Sequence, residues 1–175
     1  MRKSLFAVSL LSLALAACDD AKDPAAPAAT ASEGASPAAV ATVSAEEGAR
    51  IAHDRHEGFE AIGKSMKAVG DELKKPAPNV DAIKAAAAKL AEAAPKARDW
   101  FPAGSGPDVA PKSDALPAIW EKPAEFQQAM DKFVAEAATF NTTAQGGDLA
   151  AIGGGMKALG GTCKGCHDQF KKKDD

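Results

Sequence analysis

Large apolar side chains recur three and four residues apart in four stretches of this chain, a spacing that places them on one face of an α-helix. Residues that begin or end helices lie at the edges of these stretches. Ser44 and Glu47 form a capping box at the start of the first, and Pro76 ends it. Apolar and polar residues do not alternate over any useful length, so the pattern predicts an all-α fold. The four predicted helices cover 44–75, about 81–100, 123–144 and 148–172.

The apolar positions of these helices form the predicted core. Pro95 interrupts the second helix and predicts a kink or a restart there. Short turns join the first helix to the second and the third to the fourth, whereas a long segment rich in Pro and Gly, 101–123, crosses from the second to the third. This order predicts an antiparallel four-helix bundle with one long crossover. The predicted core positions are Phe59, Ile62, Met66, Val69, Leu73, Ile83, Ala87, Leu90, Ala94, Phe126, Met130, Phe133, Ala137, Phe140, Leu149, Ile152, Met156, Leu159, Cys163, Cys166 and Phe170.

The first seventeen residues have the proportions of a secretory signal peptide. Arg2 and Lys3 give a positive start, and the uncharged run 4–17 is shorter than the about 20 apolar residues that cross a membrane. The run leads into Cys18 through Leu-Ala-Ala, which resembles the bacterial lipobox, whose Cys carries the lipid. We therefore expect a signal peptide over 1–17 and a lipid anchor at Cys18 on the periplasmic side of a bacterial membrane. An ordinary signal peptide and a soluble periplasmic protein are the alternative.

The segment 18–43 is dominated by Ala, Pro, Ser and Thr. Such a segment cannot bury enough apolar surface to offset the entropy of ordering it, so we expect a disordered tether. The helical domain is then predicted over 44–175.

Composition narrows the classes of function. The 175 residues carry a net charge of −3, and 26% of them are charged, which fits one globular domain with appendages. No basic surface dominates, so a nucleic-acid partner is not expected. Three Cys cannot form a disulfide scaffold in a chain of this length. The sequence holds no nucleophile–base pair, no paired carboxylates and no phosphate-binding loop, so we do not expect an enzyme.

The segment from Cys163 to His167 reads C-x-x-C-H, the pattern by which c-type haem is attached. The two thiols add to the haem vinyl groups, and the imidazole supplies an axial nitrogen to the iron. At about 100° per residue of helix, Cys163, Cys166 and His167 fall within an arc of roughly 100°, so all three can face one flat ligand. That arc coincides with the apolar stripe of the fourth helix. The pattern therefore predicts one covalent haem c inside the bundle.

Two other uses of the cysteine pair compete with haem attachment. A thioredoxin-type redox pair needs a strand–loop–helix context, and the pattern predicts none. A zinc site needs a second half, and the only other histidines are His53 and His56. A haem-free redox or metal-binding module is kept as an alternative.

A C-x-x-C-H near the end of the last helix of a four-helix bundle resembles the class II c-type cytochromes, which comprise cytochrome c′ and its low-spin relatives. The resemblance covers about residues 45–173. It implies a haem held between the fourth helix and the first, with His167 as an axial ligand of the iron. Arg55, Phe59, Ile62 and Phe170 are implied as further residues around the haem. The matching segments are 55–63, 101–107, 115–120 and 163–167 with the Phe that follows at 170.

The resemblance also implies which residue covers the other face of the haem. That position lies four residues after the arginine of the first helix and is Phe59 here. The low-spin relatives have a methionine there, which ligates the iron, whereas cytochrome c′ has an apolar residue and five-coordinate iron. A benzyl side chain has no lone pair to donate. Phe59 would therefore fill the pocket, and a small neutral diatomic could enter by moving it aside.

The expected function is a class II cytochrome c with five-coordinate iron that transfers single electrons, binds nitric oxide or carbon monoxide, or does both. A low-spin, six-coordinate electron carrier of the same family is the alternative. The redox partner protein is not identified by the sequence. Because the family often dimerises through its first two helices, a homodimer also stays open.

Other side chains compete for contact with the haem. Met66 lies on the Phe59 face two turns further on and is assigned to the core, as are Met130 and Met156. His56 lies about 60° off that face and His53 nearly opposite, so both are expected to face solvent.

Two basic side chains have two interpretations each. Arg55 either pairs with a haem propionate or lies at the surface. Lys171, four residues after His167, either acts near that histidine, as in the family, or belongs to a charge cluster at the end of the helix.

Overall fold

A computed structural model describes residues 42–173. Four long helices make up most of this region, and the predicted all-α four-helix bundle is confirmed. Within the described region the only extended pairing is an isolated antiparallel bridge between Ala115 and Lys171. Cys18, the signal peptide and most of the predicted tether lie outside the described residues. The helices are α1 (Ala45–Leu73), α2 (Val80–Ala93), a 3₁₀ segment (Ala94–Trp100), α3 (Ala118–Glu121), α4 (Pro123–Gly146) and α5 (Leu149–Phe170).

Local sequence explains where the long helices begin. The Ser44 hydroxyl accepts a hydrogen bond from the Glu47 amide at 3.2 Å, as the capping box predicts. Asn79 caps α2 in the same way, through the Ala82 amide at 3.0 Å. The carboxylate of Asp148 accepts from two amides at the start of α5. Side-chain caps thus satisfy backbone donors that the first turn of each helix leaves unpaired.

Two elements between the start of α2 and the start of α4 differ from those that the sequence pattern predicts. The α-helix predicted over about 81–100 ends at Ala93. The restart expected at Pro95 is a tighter 3₁₀ segment that begins at Ala94, because the proline ring removes an amide donor from the α-helical ladder. A short helix, α3, follows Pro117 and was not predicted. Its four residues form a single turn, too short to show a periodic pattern.

The core is a stack of apolar side chains shared by all four long helices. Helix α1 packs mainly on α2 and α4 mainly on α5, while α1 and α5 contact each other little. The predicted stripes of α2 and α4 are buried throughout, whereas Leu149 at the start of α5 is 36% exposed. Large side chains with essentially no exposure are Phe140, Ile83, Leu90, Met130, Ile152, Leu159 and Val69.

The crossover is tied down at both ends. The Trp120 indole donates a hydrogen bond to the Pro102 carbonyl at 3.1 Å, which closes the loop on itself. The Leu116 amide donates to the Phe170 carbonyl at 3.0 Å and joins the loop to the end of α5. This ordering agrees with the large apolar residues that the crossover carries: Phe101, Leu116, Ile119 and Trp120. No helix in residues 42–173 is long and apolar enough to cross a membrane.

Candidate haem site between α1 and α5

A cavity of about 1050 Å³ separates α1 from α5, with α4 and the crossover forming its remaining walls. Its lining is largely apolar. The seven residues that the sequence associates with the haem come from two helices far apart in the chain, α1 and α5, and all of them line this one cavity: Arg55, Phe59, Ile62, Cys163, Cys166, His167 and Phe170.

The α5 wall carries both thiols and the imidazole. The motif lies within continuous α-helix, so its two cysteines and its histidine are spaced by the helical rotation of about 100° per residue, and the helix ends at Phe170. Cys163 and Cys166 are half-buried, and His167 is exposed at the mouth of the cavity. Phe170 is buried and packs edge-on against Phe126 of α4, with ring centroids 5.2 Å apart.

Burial raises the pKa of both thiols. The pKa of Cys166 rises to about 11 through desolvation first and the charge of Cys163 second, and desolvation also raises the pKa of Cys163. Dithiol redox proteins need the opposite shift, since a lowered thiol pKa makes the attacking thiolate. The pair also lies near the C-terminal end of α5, where the helix dipole disfavours a thiolate. The site therefore lacks the features of a thioredoxin-type pair.

The α1 wall faces the motif with two apolar side chains. Ile62 is buried, and Phe59 is half-buried. The Phe59 ring meets Trp100 edge-on at 5.1 Å between centroids and lies 6.1 Å from the Phe101 ring. The ring is thus braced by aromatic side chains from the end of the 3₁₀ segment and the start of the crossover.

Arg55 links α1 to the crossover. It is only 4% exposed, so the interpretation as a surface arginine is wrong. Its Nη1 donates to the Trp100 carbonyl at 3.1 Å, and its Nη2 donates to the Ser105 carbonyl and the Ser113 hydroxyl, both at 3.2 Å. Its guanidinium carbon also lies 4.7 Å from the centre of the Phe101 ring. Burial lowers the pKa of Arg55 to about 10, which leaves the side chain charged at neutral pH.

Comparison with known proteins agrees with this arrangement. The family profile described as Cytochrome C′ matches residues 50–171, a range that contains the C-x-x-C-H motif and every residue of the cavity lining except Ala49. The chain belongs to the cytochrome c′ family. Cytochromes c′ bind haem c covalently, so the cofactor predicted from the motif is confirmed. The residues that hold the haem in this chain stay a prediction, which rests on the positions of the cavity residues.

Individual relatives match different shares of the chain. Cytochrome c′ of Rhodospirillum rubrum is 37% identical over 130 residues, which cover 73% of this chain and 85% of that protein. Cytochrome c′ of Rubrivivax gelatinosus is 39% identical over 70 residues, 40% of this chain and 54% of that protein. This chain thus spans about half the length of the first curated relatives that it matches.

Solved structures of the family share the fold. A nitric oxide complex of a cytochrome c prime variant from Alcaligenes xylosoxidans has a TM-score of 0.65 and 24% identity, and the match covers 76% of this chain and all of that chain. At this identity the likeness concerns the fold alone.

The walls of the cavity fit a haem. Gly63 on α1 and Gly160 on α5 both line the space, and nothing lies within 4 Å of a Cβ built on either, so the backbone leaves room for a flat group. Two thiols and an imidazole on one wall form the donor set of a c-type haem. A zinc site would need further ligands beside the two thiols. Within residues 42–173, the group of side chains able to hold a metal ion is His53, Asp54 and Glu57, which is exposed and contains no cysteine, so the second half of a zinc site is missing there.

Sequence reasoning missed several side chains of the cavity. Met66 and Met130 line it, so their assignment to the core alone was incomplete. His53 and His56 are exposed, as expected, and both also lie on the lining. The cavity is wider than one helix face, and it therefore reaches side chains well off the direction of Phe59. The crossover contributes a further wall, which the sequence pattern does not predict.

Proposed function

We propose that this chain is an exported class II c-type cytochrome with five-coordinate haem iron, which binds nitric oxide or carbon monoxide, exchanges single electrons, or does both. The observation that carries the proposal is the position of Phe59 in the cavity wall on α1, across the space from the motif on α5. Its side chain cannot ligate iron. The nitric oxide complex of the Alcaligenes xylosoxidans relative supports the same function by analogy.

The residues of the two walls have separate roles in this proposal. Cys163 and Cys166 would hold the haem through thioethers, and the His167 imidazole would bind its iron. Ile62 and Phe170, both buried on the lining, would pack against the haem and keep water away from it. When bound, the haem supplies reversible binding of diatomic gases and one-electron chemistry.

Arg55 gives the cavity a buried positive charge. Its hydrogen-bond acceptors are carbonyls and hydroxyls, and no carboxylate of residues 42–173 forms an ion pair with it. A buried charge without a counter-ion is costly. A haem propionate beside Arg55 would supply the missing negative charge, which supports the first of its two interpretations.

A second function is favoured by one side chain. Met66 lines the same cavity, half-buried on α1, and a thioether there offers a sixth ligand. In that case the iron would be low-spin and the protein an electron carrier that does not bind gas.

Absorption spectra of the reduced and oxidised holoprotein, recorded with and without carbon monoxide, decide between these functions. Broad high-spin bands that shift with the gas are expected. Sharp bands that ignore the gas in the wild type, but become high-spin and gas-sensitive in Met66→Leu, would show that the alternative is correct. The iron of the Phe59→Met variant should be low-spin, in contrast to that of the wild type, because the variant has a thioether at the position used by the low-spin relatives.

The cellular setting is part of the proposal. The signal-like segment supports export to the periplasmic side and a lipid on Cys18, which intact mass and a peptide map of the mature N-terminus would detect. Function as a non-enzymatic carrier or sensor implies a redox partner protein. A groove of about 550 Å³ between α1 and α2, lined mainly by alanines, supports a homodimer, and sedimentation velocity of wild type and Ala85→Glu would test it.

A further inference from the structure

Trp100, the last residue of the 3₁₀ segment, is held by three residues from one turn of α1. Its carbonyl accepts the hydrogen bond from Arg55 Nη1 at 3.1 Å. Its indole lies directly on the helix backbone at Gly58, where an added Cβ would be 2.3 Å from Cη2. Its ring meets Phe59 with planes at 83° and centroids 5.1 Å apart. Only glycine at position 58 lets the indole come close enough to α1 to brace the neighbouring phenylalanine.

Trp100 lies behind the cavity wall rather than in it. Phe59 and Phe101 line the cavity, whereas Trp100 is not part of the lining. Trp100 can therefore affect a molecule in the cavity only through the side chains that it braces. Trp100 is in ring contact with Phe59, at 5.1 Å between centroids, and the other ring contact of Phe59, with Phe101, is longer at 6.1 Å.

We propose that Trp100 is a positioning residue that holds the Phe59 ring in the cavity wall and thereby slows the entry of a diatomic gas. This inference rests on the proposed gas-binding function. A gas that reaches the iron on the Phe59 side has to displace that ring, and the displacement breaks its edge-to-face contact with Trp100. A contact of this type shifts an equilibrium by roughly two- to tenfold.

The test measures carbon monoxide association by flash photolysis of the ferrous holoprotein. Trp100→Leu is expected to raise the association rate by about two- to tenfold, because the ring loses its brace and gains space behind it. Trp100→Phe should restore much of the wild-type rate, since it returns an aromatic edge. Gly58→Ala should act like Trp100→Leu, because the added methyl displaces the indole. It also provides a second route to the result if Trp100→Leu does not fold.

A double-mutant cycle separates positioning from a general loss of stability. In a Phe59→Ala background, Trp100→Leu should leave the association rate unchanged, because the side chain through which it acts is gone. Trp120→Leu is the matched control: Trp120 is also a half-buried indole that contacts Phe101, and it has no ring contact with Phe59. It should lower the melting temperature without the rate increase. Equal effects of Trp100→Leu in both backgrounds, or no increase in either, would overturn the inference.

Crystal structures of wild-type and Trp100→Leu holoprotein test the brace without gas. The Phe59 ring should be displaced, or should have markedly higher B-factors, in the variant. An unchanged, equally ordered ring would overturn the inference even if the wild type binds gas. A wild type that binds no carbon monoxide, in which the ring still loses its order in the variant, would instead overturn the proposed gas binding and leave Trp100 as a residue that positions Phe59.

Discussion

Helix α5 carries the haem motif on a backbone that is weak as an isolated helix. Six of its 22 residues are glycine, and each glycine in a helix interior costs about 0.5–1 kcal/mol relative to alanine. Gly154 and Gly161 are exposed, and nothing lies within 4 Å of a Cβ built on either. Gly155 differs from both, because a Cβ there would meet the buried Phe140 ring at 3.0 Å.

Alanine at the two open positions should therefore stabilise the holoprotein. We expect Gly154→Ala and Gly161→Ala to add about 0.5–1 kcal/mol each to the free energy of unfolding. The positions are about 10 Å apart along the helix and share no partner, so the double variant should gain about 1–2 kcal/mol. Gly155→Ala should gain nothing or lose stability, because Phe140 is fully enclosed and has little room to move.

Urea unfolding followed by circular dichroism measures these differences. With a slope of about 2 kcal/mol/M, the double variant should unfold at a urea concentration about 0.5–1 M higher, with the slope unchanged. The haem spectrum should not change, because neither glycine lines the cavity. Equal stabilisation by all three single variants would contradict the packing argument at Gly155. No stabilisation at either open position would contradict the account of α5 as limited by its backbone.

Three further predictions concern the links that shape the cavity. Arg55→Met should lower the free energy of unfolding by about 2–4 kcal/mol in thermal melts, since it leaves buried carbonyls without donors. Arg50→Met, at an exposed ion pair, should change the free energy of unfolding far less. Gly48→Ala should lower the midpoint of urea unfolding, because the new methyl would lie 2.0 Å from the Gly104 carbonyl oxygen. A midpoint equal to that of the wild type would show that α1 can shift freely at this position. In haem-free protein, burial raises the pKa of Cys166 from 9.0 to about 11, so at about pH 8 iodoacetamide should react with this thiol about a hundredfold more slowly in the folded protein than in protein unfolded by urea. The difference between the two rates should vanish as the pH rises through 11. Equal rates at about pH 8 would show that the thiol is not buried.

The sequence by itself determined the helices and the chemistry of the cofactor. Periodic apolar positions and local caps depend on neighbours within one or two turns, so the bounds of α1, α4 and α5 follow closely from residues such as Ser44 and Asp148. The C-x-x-C-H motif needs only the geometry of one helix to bring Cys163, Cys166 and His167 to one side. Local information therefore sufficed for the fold class and for haem c.

Tertiary structure alone decided what faces the motif. The buried state of Arg55, the place of Met66 and His53 on the cavity, and the contact between Phe59 and Trp100 depend on how α1, the 3₁₀ segment and the crossover approach one another. The helical period indicates the direction of a side chain but not the distance to the next element or the width of the gap. A cavity forms where two helices stay apart, and that separation is a property of the whole packed bundle.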